Sequence, residues 1–106
     1  MAGTYPEWFS TIRERHQGFM NALDQLGASI RREGPLDEKT AQLLQLAASV
    51  ALRSEGAVHS HARRAMQAGA TPQELTHTII LLTSTIGFPN VSAALRWVED
   101  IIGEEE

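Results

Sequence analysis

His61 is the residue on which any chemistry in this chain would centre, because it falls three residues after Val58 and four before Ala65, among apolar neighbours on one face of a helical segment. An imidazole turned into such surroundings loses basicity by desolvation and can be poised to exchange protons near neutrality. The alternative is a core histidine bonded to a carbonyl or to a neighbouring subunit. Glu55 opens the same segment and is the carboxylate candidate for acid/base work beside His61, although a carboxylate there also suits the positive end of a helix dipole. Upstream, Gln42 lies among leucines, where an inward-turned amide needs partners and cannot act as a carboxylate base. Arg53, Arg63 and Arg64 offer charge for an anionic substrate, with solvated or intersubunit ion pairs as the other use. His59 and His61 superficially suggest a metal pair. Residues two apart on a helix project about 200° from one another, so the two rings could share an ion only off a helix, and no metal is expected. His16 and His77 read as surface or interface residues.

Composition limits the chemistry. The 106 residues suit one domain, and the nine Lys and Arg against thirteen Asp and Glu are scattered rather than gathered into a basic face. Nucleic acid is therefore not an expected partner. The chain has no cysteine, which removes disulfides, thiolate nucleophiles and thiolate metal sites together. No apolar window approaches the roughly 20 residues of a membrane span, and no basic, then apolar, leader opens the chain. A soluble cytoplasmic protein is expected.

The elements that would position these residues are helices. Trp8, Phe9, Ile12, Phe19, Leu23, Leu26 and Ile30 recur at helical spacing and predict one amphipathic helix over about 6–32, stopped by Gly34-Pro35. Asp37 is a good N-cap for a second helix over about 38–53. That helix is so rich in Leu, Ala and Val that it should be central, with water on no broad side. Ser54-Glu55-Gly56 marks a kink or short break before a third helix, which carries Val58, His61, Ala62, Ala65 and Met66 and ends at Gly69. Thr71-Pro72-Gln73-Glu74 combines a hydroxyl cap, a first-turn proline and a glutamate that can reach back. The β-branched run 76–86 would suit a buried strand on propensity, yet its length and capped start favour a helix. After Gly87-Phe88-Pro89 a last helix covers 90–102, and Gly103 with the terminal glutamates should fray. The result is an all-α fold of about five helices. Ile79-Ile80-Leu81-Leu82 needs cover on several sides, which points to self-association.

In order, Leu36-Asp37-Glu38-Lys39-Thr40, the apolar helix after it, the stretch from His61 to Glu74, and Gly87-Phe88-Pro89 resemble the carboxymuconolactone decarboxylase and alkylhydroperoxidase D-like family. The resemblance covers about 36–102, leaving 1–35 as an N-terminal helix and linker and 103–106 as an acidic tail. In the peroxidase branch a Cys-x-x-Cys pair precedes the motif histidine, and a glutamate on the preceding helix joins a proton relay. Carried onto this chain, those positions hold Ser54, Ala57, His61 and Gln42, so the histidine alone is retained. A serine alcohol neither attacks a peroxide as a thiolate nor stores electrons as a disulfide, which excludes cysteine-dependent peroxidase chemistry.

The decarboxylase branch also lacks the cysteine pair and has a similar Gly-Phe-Pro turn. It loses carbon dioxide from a carboxylated muconolactone to give an enol-lactone, a reaction needing an anion site and a proton donor or acceptor. The resemblance implies His61 with an arginine for that set, and Arg53 and Phe88 are the substrate-binding candidates. It further implies a homo-oligomer, commonly a trimer or hexamer, taking a small anionic ligand without a cofactor. The expected function is acid/base or decarboxylase-type action on a small carboxylated lactone. The alternative is an inactive family member that serves as an oligomeric binding or assembly module.

Overall fold

The computed structural model describes residues 4–105, and all its regular elements there are helical. They are α1 (Thr4–Arg15), α2 (Gln17–Arg31), α3 (Glu38–Ala51), α4 (Glu55–Gln67), α5 (Pro72–Ile80), α6 (Thr83–Ile86) and α7 (Phe88–Glu105). The β-branched run 76–86 is therefore helix, as its capped start favours. It breaks at Leu81 and Leu82, where Thr83 Oγ1 donates to the Ile80 carbonyl at 2.7 Å. None of these helices is long and apolar enough to cross a membrane. The chain divides into two compact units at Leu36 and Asp37.

The first unit corrects the expectation of one helix over 6–32. His16, with φ −137° and ψ 60°, leaves helical geometry and separates α1 from α2, whereas Gly18 and Gly27 are absorbed within α2. The two helices are tied by Arg13, whose Nη1 and Nη2 donate to the Asp24 carboxylate at 2.9 and 3.2 Å. That hydrogen-bonded pairing raises the Arg13 pKa, and the same guanidinium lies 5.2 Å from the centre of the Phe9 ring. Met20 is buried, but Phe19, Leu23, Leu26 and Ile30 form a stripe along α2 that stays about half exposed or more.

In the second unit, α3, α4, α5 and α7 enclose a core of Leu46, Val50, Val58, Ala62, Ala65, Leu75, Ile79, Val91, Ala94, Val98 and Ile101. Ala62 and Ala65, both fully buried, allow α4 to approach its neighbours closely. Local capping places each start. Asp37 Oδ1 accepts from Thr40 N at 2.8 Å, and hydrogen bonding from the Thr40 side chain and then from this N–H lowers the Asp37 pKa. Thr71 and Glu74 exchange side-chain and backbone bonds at 2.9 and 3.1 Å in the expected capping box. Glu74 also accepts from Lys39 Nζ at 3.0 Å, joining α3 to α5. The Thr71 N–H and then Lys39 hold the Glu74 carboxyl below the usual range.

Two further expectations change. Far from keeping water off every side, α3 exposes Leu44, and Leu52 just past its end is exposed too, because the helix packs on α4 along one face and leaves the opposite one uncovered in a single chain. Rather than fraying at Gly103, α7 continues to Glu105. Arg63 holds Glu104 in a two-pronged bond, 3.1 Å from both Nε and Nη2, which lowers the Glu104 pKa.

The turns at either end of α4 differ in an informative way. Both close with the same paired bonds: Ala70 N to Ala65 O and Gly69 N to Met66 O after α4, and Ser54 N to Ser49 O and Arg53 N to Val50 O after α3. This six-to-one and five-to-two pattern requires a left-handed residue just past the helix. After α4 that residue is Gly69, at φ 104°; after α3 it is Arg53, at φ 58°. A residue with a Cβ in that conformation costs roughly 1–2 kcal/mol. Arg53→Gly is therefore expected to raise unfolding stability by about 0.5–1 kcal/mol in urea melts, net of glycine's greater unfolded-state freedom. The same change at Leu52, in right-handed geometry, is expected to lower it.

Candidate functional site

The polar residues of α3 recur at 38, 42, 45 and 49, which is helical spacing, so a leucine-rich helix carries one polar seam. Gln42 sits in that seam at 1 % exposure and Ser49 is also buried. The Ser49 hydroxyl is satisfied by the Gln45 carbonyl at 2.8 Å, while the buried Oε1 of Gln45 has no hydrogen-bond partner among the described residues. Gln42 is held at both ends of its amide. Its Nε2 donates to Glu38 Oε2 at 2.9 Å, and its Oε1 accepts from Nδ1 of His61 on α4, also at 2.9 Å. Burying an amide without partners costs about 1–3 kcal/mol, so these bonds decide how α3 faces α4.

His61 is half-buried on the face next to the fully buried Val58, Ala62 and Ala65, as the stripe predicts. The residues preceding it also find clear structural roles. Ser54 is the N-cap of α4, its Oγ accepting from the Ala57 N–H at 3.3 Å. The two positions at Cys-x-x-Cys spacing from His61 thus share a capping bond.

Glu55 does not join this group. Residues 55 and 61 project about 120° apart around α4, and Glu55 faces His59 instead, at 3.9 Å. His59 Nε2 lies 3.2 Å from Asp100 Oδ2 on α7, and the donor atoms of Glu55, His59 and Asp100 fall within 4.8 Å of one another. These are the groups with the atoms to ligate a cation. Both carboxylates are more than half exposed, and one turn further along both helices Arg63 pairs with Glu104. The cluster therefore reads as one rung of a ladder of side-chain contacts joining α4 to α7. It also places His59 and His61 on different partners, Asp100 and Gln42, as the angle between them requires.

Arg53 is exposed in the left-handed turn before Ser54, and Phe88 is exposed at the start of α7. A surface depression of about 430 Å³ opens elsewhere, between α5 and α7, lined in part by Thr76, His77, Ile80, Glu99 and Ile102. His61 is not among its lining residues. Sequence reasoning identified His61 and the inward amide of Gln42 but missed Glu38, the group that fixes the amide. The signal was present in the four-residue step from Glu38 to Gln42 on one helix face.

With this geometry in view, the sequence profile of the carboxymuconolactone decarboxylase family matches residues 17–100, spanning α2 through most of α7. The chain belongs to the carboxymuconolactone decarboxylase family. No curated protein matches it. Among solved structures it is similar to apo-lpg0406, a carboxymuconolactone decarboxylase family protein from Legionella pneumophila, with a TM-score of 0.80 at 23% identity. That alignment covers 95% of this chain and 90% of the other. It is also similar to TM1620 from Thermotoga maritima, with a TM-score of 0.70 at 25% identity, over 94% of this chain and 90% of that one. This member of the carboxymuconolactone decarboxylase family is cysteine-free, and its His61 is bonded to an amide.

Proposed function

We propose that this protein is a carboxymuconolactone decarboxylase-like enzyme without thiol chemistry, in which His61 moves a proton on a small carboxylated lactone. The observation that carries the reading is the Gln42–His61 bond: a buried amide, with its other end tied to Glu38, is committed to orienting one imidazole. Loss of carbon dioxide from such a substrate leaves the electron pair of the broken C–C bond on the lactone. One proton delivered to carbon then completes the enol-lactone. The imidazolium of His61 is the donor, and Arg53, exposed before α4, is the candidate for attracting the anion.

A second reading is favoured by the uncovered apolar faces: an inactive assembly or binding module. Phe19, Leu23, Leu26 and Ile30 on α2, Leu44 on α3 and Leu52 just after it, and Ile80 and Leu81 after the core residue Ile79 are all substantially exposed in one chain. Second copies of the chain, in a trimer or hexamer, are the occupants that both readings require.

For the enzymatic reading, His61→Ala is expected to lower turnover of a carboxylated muconolactone, followed by carbon dioxide release, by about 10²–10⁴-fold. His77→Ala should leave turnover within a few-fold. Loss of all effect at His61 overturns the assignment, and an intact oligomer that turns over no member of a carboxylated-lactone panel establishes the module instead.

The assembly itself is read by light scattering, where the wild-type mass is expected at three or six chains. Leu23→Glu and Leu44→Glu should reduce it, since both side chains are exposed in the protomer and their replacement leaves its core intact. A monomeric wild type contradicts the assembly.

A further inference from the structure

The order of bonds along Glu38, Gln42 and His61 fixes something that no member of the trio fixes alone. A neutral imidazole has one N–H and one lone pair, and a carboxamide has a donor end and an acceptor end, so the Gln42–His61 contact by itself is compatible with either tautomer. The group at the far end of the amide decides. An ionised Glu38 carboxylate only accepts, so it takes the Nε2 N–H of Gln42 at 2.9 Å and turns Oε1 toward the ring. The reversed amide would set the carbonyl oxygen of Gln42, itself at 1 % exposure, against a carboxylate oxygen of Glu38, two acceptors with no proton between them.

We propose that Glu38, acting through Gln42, is a positioning residue that holds His61 as the Nδ1–H tautomer, so that the site exchanges protons at Nε2. This deepens the reading of His61 as the acid/base group and rests on it for its catalytic meaning. The tautomer itself follows from the hydrogen-bond order whether or not a substrate is ever turned over.

The consequence lies in what the trio does not do. A carboxylate at position 42 could take up the Nδ1 proton and pass charge along the chain of bonds. A neutral carboxamide does not, so the Nδ1 proton stays on the ring and exchange falls to Nε2. In the reaction the imidazolium gives its Nε2 proton to the substrate carbon. The electron pair of the severed C–C bond forms a new C=C as carbon dioxide departs, the displaced π pair forms the C–H bond, and the ring is left neutral with Nδ1 still protonated. A proton from water then restores it at Nε2. This arrangement suits substrates that take one proton at carbon, such as β,γ-unsaturated or lactone carboxylates.

Long-range ¹H–¹⁵N correlation of the imidazoles in ¹⁵N-labelled full-length protein tests this directly. It is recorded at about pH 8, above the ordinary imidazole range, with the His61 signals identified by their loss in His61→Asn. The wild type is expected to show a protonated, pyrrole-type Nδ1 and a pyridine-type Nε2. Glu38→Leu should move both resonances toward the midpoint of the two types, and Glu38→Gln, which keeps an acceptor oxygen, should restore much of the wild-type pattern. Unshifted signals from His16, His59 and His77 report an intact fold. A wild-type His61 protonated at Nε2 overturns the proposal, and so does a folded Glu38→Leu with unchanged His61 shifts. If Glu38→Leu does not fold, the wild-type and Glu38→Gln spectra decide. Absence of lactone turnover would remove the proposed activity while leaving these shifts as they are, so the two failures are distinguishable.

Discussion

One buried carboxamide constrains the second unit of this protein more than any other polar group. Gln42 is almost without contact with water, and both ends of its amide are engaged, one within α3 and one across to α4. An unsatisfied amide in that position would cost about as much as a typical destabilising mutation, so the register between α3 and α4 has to bring position 61 opposite position 42. The tight turn between the helices serves the same end. It accepts an arginine in left-handed geometry, where glycine is the usual occupant, and still closes with both of its characteristic bonds.

The residues around the start of α4 and along α3 are locally consistent with one another. Ser54 caps α4 through a bond to the Ala57 backbone, so neither position needs a thiol to be structurally satisfied. An amide at 42 is matched by a carboxylate one turn earlier, at 38. The polar seam of α3 is thus a set of mutually satisfied groups around Gln42, which is the pattern expected when levels of structure agree.

Features encoded within a few residues were legible in the sequence. The Asp37 cap, the Thr71–Glu74 box and the Gly69 stop each depend on side chains adjacent to the backbone groups they satisfy, and each stands where it was expected. The break at His16 was not legible, because neither proline nor glycine marks it; the two glycines that drew attention lie inside α2. The left-handed turn at Arg53 was hidden for the same reason. Position 61 was readable as inward-facing from its apolar neighbours. Its partners were only half readable, since hydrophobic periodicity tells which way Gln42 points but not what its amide reaches. Glu55 shows the converse error. Proximity in sequence suggested proximity to His61, while the helical angle sends its carboxylate to His59 and Asp100. The apolar stripe of α2 was recognised as a stripe, yet a single chain leaves it uncovered, because amphipathicity specifies a buried face without specifying which molecule buries it.

The most direct measurement of the central claim is a double-mutant cycle in urea unfolding between Gln42→Leu and His61→Leu. Each single change strands the polar group left behind, while the double change removes both ends of the bond together. The account predicts that the double mutant is more stable than the sum of the two single losses implies, with a coupling of about 1–2 kcal/mol. Additive losses would show that Gln42 and His61 do not depend on one another, and would contradict the account.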